Sequence, residues 1–67
     1  MKSFELTRDV YTEDAIDGGI AAFAAVCAAT AIHETGFSFL TILTADSYIA
    51  SELLNYILAA SAQELLS

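Results

Sequence analysis

The sequence predicts an α+β fold in which two helices lie on one face of a small three-stranded sheet. This is a two-layer sandwich with the element order β-α-β-β-α. Three observations predict it: an alternating segment at the start of the chain, a well-capped helix after it, and a strand-like segment that leads into a longer helix. With 67 residues the chain has room for one small α+β domain, spanning residues 1–67.

The first element is predicted to be a strand, because apolar and polar side chains alternate from Ser3 to Val10. Phe4 and Leu6 would face the core, while the outer side would be polar. Arg8 falls on the apolar side, so we expect the strand to bend or end there.

The first helix is predicted to begin after Thr12, whose hydroxyl can accept a hydrogen bond from a free backbone N–H in the first turn. Glu13 and Asp14 follow, where the positive end of the helix dipole favours carboxylates. Tyr11 and Ile16 have the spacing of a hydrophobic staple. The apolar stripe expected to cover the sheet consists of Ile16, Ile20, Phe23 and Cys27.

Two adjacent glycines, Gly18 and Gly19, interrupt this helix. Each costs about 1 kcal/mol in a helix interior relative to Ala. The pair therefore predicts close approach to another backbone. The flank beside it is lined mainly with Ala, which suits either a solvated helix surface or close contact with a second helix.

We expect the helix to end near Cys27 or Ala28, because β-branched residues become frequent after that point. A strand over Ala29–His33 and a Glu34-Thr35-Gly36 turn would follow, with Gly36 supplying a positive φ. The alternative is a long first helix that reaches Thr35, which gives the order β-α-β-α.

The next strand, Phe37 to Thr44, carries large apolar side chains on both faces. It is therefore either central and covered on both sides, or its second face is an interface. Asp46 is predicted to cap the last helix, Ser47–Leu65, whose broad apolar surface indicates contacts on two sides. The predicted partner-binding residues are Phe37, Phe39, Leu40, Ile42, Ile49, Leu53, Tyr56 and Leu66.

The composition is 57% hydrophobic with a net charge of −7, and Lys2 and Arg8 are the only strong bases. A small domain cannot bury so much apolar surface alone, so we expect a protein or peptide partner or a homo-oligomer. The scarcity of Lys and Arg excludes direct nucleic-acid binding and disfavours anionic membranes. The first ten residues lack the apolar run of a signal peptide, and the longest stretch without ionisable residues is too short to span a membrane. We expect a cytoplasmic protein.

Catalytic chemistry is not indicated, and we expect neither an enzyme nor a cofactor. Glu13 and Asp17 share a helix face, but no calcium-loop spacing accompanies them, so no metal site is expected. His33 is the only histidine and is expected at a hairpin end. Cys27, the only cysteine, is expected to act as a small buried hydrophobe. The chain contains no phosphate-binding glycine loop and no hydrolase or zinc motif.

One group of residues resembles a known family. The pattern Y-T-x-x-A-I at the helix start, a later Phe and a Leu-Leu-Asn core in the last helix are similar to the HxsD-type small proteins. The matching residues are Tyr11, Thr12, Ala15, Ile16, Phe23, Leu53, Leu54 and Asn55. In gene neighbourhoods of that family, such proteins accompany radical-SAM maturases that modify a ribosomal peptide. Family members carry a more basic final helix, whereas no Lys or Arg follows Arg8 here.

Three functions follow as hypotheses. The first is a non-catalytic accessory or adaptor subunit that binds a protein or peptide. The resemblance implies the same role, in a peptide-maturation system. The second is a self-associating structural homo-oligomer. The third is an acidic decoy that binds a basic protein surface.

Overall fold

A computed structural model of the chain describes residues 2–43 and 46–66. It contains, in order, β1 (Lys2–Thr7), α1 (Glu13–Ala22), β2 (Ala29–Glu34), β3 (Phe37–Ile42) and α2 (Ser47–Leu65). The predicted order β-α-β-β-α is therefore confirmed, and the alternative with one long first helix is wrong.

The three strands form one antiparallel sheet in the order β1-β3-β2. Leu40 of the central strand lies opposite Phe4 on one side and Ala31 on the other. Because β1 and β2 both pair antiparallel with β3, they run parallel to each other, and α1 makes the crossover between them.

Strand β1 ends at Thr7, immediately before Arg8, and does not reach the predicted end at Val10. The Arg8 guanidinium turns back over the hairpin and donates to the carbonyl oxygens of Glu34 (2.9 Å) and Phe37 (2.8 Å). The expectation that the strand ends at Arg8 is confirmed, because this side chain satisfies backbone acceptors at the end of the sheet.

Thr12 caps α1 as predicted, with its hydroxyl oxygen accepting from the Ala15 backbone N–H at 3.1 Å. The predicted end of the helix near Cys27 or Ala28 is wrong, because α1 stops at Ala22. Phe23 leaves helical geometry at φ −100° and ψ 5°, and its carbonyl oxygen then accepts from Cys27 in a following turn. Ala is the best helix former, so local propensity favours a longer helix here, and the tertiary need to reach β2 instead decides where α1 ends.

The β2–β3 hairpin has a shorter turn than predicted. Glu34 pairs with Phe37, so Glu34 belongs to the strand and the loop contains only Thr35 and Gly36. Gly36 has a φ of 86°, which confirms its predicted role.

The two helices run antiparallel, so the start of α1 lies beside the end of α2, and hydrogen bonds connect them there. The Thr12 backbone N–H donates to the Ser61 hydroxyl at 3.1 Å, and the Thr12 hydroxyl donates to the Glu64 carboxylate. Further along, a Cβ placed on Gly19 would lie 2.7 Å from Ile57 Cγ1, whereas one on Gly18 would meet nothing within 4 Å. Only Gly19 is thus a site of close approach. The predicted backbone neighbour is wrong, because the nearest atoms belong to the side chains of Ile57 and Leu53 of α2.

The core lies between the helices and one face of the sheet. It consists of Leu6, Ala15, Ile16, Leu40, Ile42, Ala50, Leu53 and Ile57. The predicted stripe residues Ile20, Phe23 and Cys27 pack against it while half-buried. Asp46 caps α2 as predicted, accepting from the backbone N–H of Tyr48 at 2.9 Å. Thr44, the predicted end of β3, is outside the described residues, and β3 ends at Ile42.

Candidate functional site

The eight predicted partner-binding residues fall into three groups. Leu40, Ile42 and Leu53 are 0% exposed and belong to the core of the chain itself. Phe37 and Phe39 lie on the face of the sheet that points away from the helices. The remaining three, Ile49, Tyr56 and Leu66, lie on or just after α2. Five of the eight are therefore at least partly accessible to a partner.

The side of β3 opposite the helices carries an accessible apolar surface. Ser38, Leu40 and Ile42 are buried under the helices, so Phe37 and Phe39 point to the other face. Within the described residues the central strand is thus covered on one side only, and its second face is open. The predicted possibility of cover on both sides is wrong, and the use of the second face as an interface stays a prediction.

The two phenylalanines on this open face form an edge-to-face pair. Their ring centroids are 5.1 Å apart and the ring planes make an angle of 83°. Ile32 of β2 lies directly opposite Phe39 in the register and is 61% exposed, while Phe39 is 42% exposed. Leu43, the next apolar side chain along the same face, is also exposed. We refer to Ile32, Phe37, Phe39 and Leu43 as the apolar strip.

Acidic side chains stand on both sides of the apolar strip. On β1, Glu5 pairs with Phe39, and on β2, Glu34 pairs with Phe37. Paired residues in an antiparallel ladder project from the same face, so both carboxylates flank the phenylalanines. Both glutamates are exposed. The open face therefore has an apolar centre and one acidic residue on each edge strand.

A second accessible surface lies along the α1–α2 contact. Tyr56 is 45% exposed and stacks edge-on against Phe23, with centroids 5.7 Å apart and an interplanar angle of 69°. An open groove of about 470 Å³ lies beside it, lined by Asp14, Ala15, Gly18, Tyr56, Ala60, Gln63 and Glu64. Leu66 lies beyond the end of α2 and is 87% exposed.

A chain of polar side chains runs under α1 at the hairpin end of the sheet. Arg8 Nη1 donates to Ser38 Oγ at 2.8 Å. Ser38 Oγ lies 2.7 Å from His33 Nδ1, and His33 Nε2 lies 2.9 Å from an Asp17 carboxylate oxygen. This polar chain links the turn after β1 to β3, β2 and α1, so the predicted hairpin-end histidine also connects the sheet to a helix.

The polar chain contains Ser, His and Asp, but its geometry is not that of a hydrolase triad. In that triad the serine bonds to Nε2 of the histidine and the aspartate to Nδ1, whereas here the two nitrogens are exchanged. Ser38 is also 0% exposed, so no substrate can reach its hydroxyl. The arrangement therefore holds elements together and offers no accessible nucleophile.

The same hydrogen bonds fix the tautomer of the neutral His33 ring. Because the ionised Asp17 carboxylate can only accept, His33 Nε2 carries the hydrogen of that bond. Nδ1 of the neutral ring is then an acceptor, so the Ser38 hydroxyl donates to it while accepting from Arg8. We expect two-bond ¹H–¹⁵N correlation spectra of the neutral ring to show a protonated Nε2 and an unprotonated Nδ1. A protonated Nδ1 in the neutral ring would contradict this direction of donation.

The acidic residues at the start of α1 have separate partners. Glu13 lies 3.3 Å from Arg8 Nη2, and Asp17 pairs with His33. The two carboxylates proposed as a pair by their spacing are thus engaged with different groups. Within residues 2–43 and 46–66, no cluster of three or more His, Cys, Asp or Glu could hold a metal ion.

Some residues of this site were not predicted. Ile32 and Glu34 were expected in or beside a strand, but their face could not be assigned because ATAIHE does not alternate clearly between polar and apolar residues. Glu5 was correctly expected on the polar side of β1. Its position beside Phe39 depends on the pairing of β1 with β3, for which the sequence contains no local signal.

Together these features define a small α+β protein in which two helices cover one face of the sheet and no other described element covers the second face. No protein-family model, curated protein or solved structure matches the chain. In the described part of the chain, neither helix is long and apolar enough to cross a membrane.

Proposed function

We propose that this chain is a non-catalytic accessory or adaptor subunit that binds a protein partner. The observation that carries the proposal is the uncovered sheet face, where the apolar strip lies on an open surface. Apolar side chains that remain exposed together on a small domain are typical of a protein-binding surface. On the helical side, Tyr56 and Leu66 are further apolar side chains that are exposed.

The charge of the chain supports a partner other than a second copy. Each copy has a net charge of −7, and the open face carries Glu5 and Glu34 beside the phenylalanines. Like charges brought together in an interface oppose association. A partner with basic groups would be attracted by the same charges.

The similarity of the sequence to the HxsD-type proteins supports a more specific setting. We include in the proposal that the partner is a component of a cytoplasmic peptide-maturation system, either the modifying enzyme or its peptide substrate. An adaptor that only presents one component to another requires a binding surface and no accessible nucleophile. The buried position of Ser38 agrees with this role.

The proposal is tested by expressing the chain with each protein encoded beside its gene and measuring masses by sedimentation. We expect a complex of fixed stoichiometry with one neighbour, and a loss of that complex when Phe39→Ser and Tyr56→Ser are combined. Thr30→Ser with Asn55→Ser is the matched control, because both positions are exposed but polar. A stable homo-oligomer whose mass no neighbour changes would favour the structural alternative. A dispersed monomer that binds none of the neighbours would contradict the proposal.

A further inference from the structure

The open sheet face has a shape and charge pattern that define its partner more closely. We propose that it binds an amphipathic helix of the partner protein, with an apolar stripe flanked on both sides by Lys or Arg. This inference rests on the proposed function and specifies which surface acts and what it recognises.

The dimensions of the face fit one helix. Both helices of the chain lie on the other side of the sheet, so the apolar strip has no cover within the described residues. From Phe37 to Leu43 the central strand extends for about 20 Å at ~3.3 Å per residue. A helix of about 13 residues has the same length at ~1.5 Å per residue. The apolar stripe of such a helix could follow the strip from end to end.

The acidic residues are placed on either side of that helix. Glu5 is on one edge strand and Glu34 is on the other, with β3 between them. Strands in a sheet are about 4.8 Å apart, so the two glutamate positions are separated by roughly 10 Å across the face. This is close to the ~10–12 Å diameter of a helix with its side chains. Basic residues on both flanks of the helix would therefore reach a carboxylate.

The chain cannot supply this helix to another copy of itself. Its two bases are Lys2 and Arg8, and neither lies in α1 or α2. Arg8 is also held by Ser38 and by backbone carbonyl oxygens at the hairpin. The helices of a second copy would bring further carboxylates towards Glu5 and Glu34. The complementary charge must come from a different protein.

The inference is tested with two labelled 14-residue peptides, each with a Leu stripe at helical spacing. One peptide carries Lys on both flanks of the stripe, and the other carries Glu at the same positions. We expect fluorescence anisotropy to show that the full chain binds the Lys peptide at least about tenfold more tightly than the Glu peptide. Phe39→Ser should weaken binding of the Lys peptide by about tenfold or more.

A charge-reversal variant gives the sharper result. Glu5→Lys with Glu34→Lys should reverse the preference, so that the Glu peptide becomes the tighter ligand. The matched control, Asp9→Lys with Glu52→Lys, changes the net charge equally at exposed positions outside the open face and should keep the original preference. Backbone amide shifts on adding the Lys peptide should be concentrated on the three strands. Equal affinity for both peptides, no binding of either, no effect of Phe39→Ser, or amide shifts confined to the helices or to one strand edge would overturn the inference.

These outcomes are distinct from failure of the proposed function. If the natural complex forms and survives both Phe39→Ser and the Glu5→Lys, Glu34→Lys variant, the accessory role stands and the sheet face is not its binding surface. If no complex with any neighbour forms, the accessory role itself fails, whichever peptide the open face binds.

Discussion

Replacing Gly19 with Ala is expected to bring no gain in stability or a net loss, although the same change at Gly18 stabilises the protein. Both substitutions gain about 1 kcal/mol of intrinsic helix propensity. At Gly19 the new Cβ would lie 2.7 Å from Ile57 Cγ1 and 3.3 Å from Leu53 Cδ1, and both neighbours are fully buried. Overpacking of this kind costs about 1–3 kcal/mol, which cancels or exceeds the propensity gain.

The measurement is the free energy of unfolding from urea titrations, with the melting temperature as a second readout. Gly18→Ala should raise the melting temperature by about 4–8 °C, because a gain of ~1 kcal/mol has that effect in a domain of this size. The free energy of unfolding of Gly19→Ala should be lower than that of Gly18→Ala by the overpacking cost of about 1–3 kcal/mol. Equal stabilisation by the two changes would show that α1 and α2 move apart without cost, in contradiction to the close contact at Gly19.

Removing the Ser38 hydroxyl is expected to cost about 1–3 kcal/mol of stability, although the side chain is small. In Ser38→Ala, Arg8 Nη1 loses its acceptor and His33 Nδ1 loses its hydrogen-bond donor. Both partners are only about one quarter exposed, so water replaces these bonds incompletely. The loss should therefore exceed what the removal of one surface hydroxyl produces.

Ser3→Ala is the matched control for this prediction. The Ser3 hydroxyl is exposed and lies 3.3 Å from Thr41 Oγ1, so its removal should change the free energy of unfolding by less than about 0.5 kcal/mol. A double-mutant cycle of Ser38→Ala with Asp17→Asn should give a non-zero coupling energy, because both residues bond to the same histidine ring. Equal stability of the Ser38→Ala and Ser3→Ala variants would contradict the role assigned to the polar chain.

Neither the Gly19 contact nor the Ser38 connections could be located from the sequence. The glycine pair predicted a close approach, but the sequence does not show which of the two glycines faces α2. That depends on which side of α1 packs against the core. Ser38 lies in a strand with apolar side chains on both faces and gives no sign of being fully buried. Its partners come from the turn after β1 and from β2, and Asp17 joins through His33. Only the folded sheet brings these residues together.

Local patterns determined much of the fold. Five features follow from interactions between near neighbours in sequence or from periodicity. They are the caps at Thr12 and Asp46, the bounds of α2, the positive φ of Gly36 and the end of β1 at Arg8. These features are predictable because helix capping, turn conformation and side-chain alternation act over a few residues.

The sequence by itself determined the element order, the acidic charge and the excess of apolar side chains. The tertiary structure decided which of those side chains are core and which are surface: it buried Leu40, Ile42 and Leu53 and left Phe39 and Ile32 exposed. It also decided that α1 ends at Ala22 and that Glu5 and Glu34 stand beside the phenylalanines. The reason is physical, since strand order, register and the side on which helices pack depend on contacts between distant residues, which local propensity does not encode.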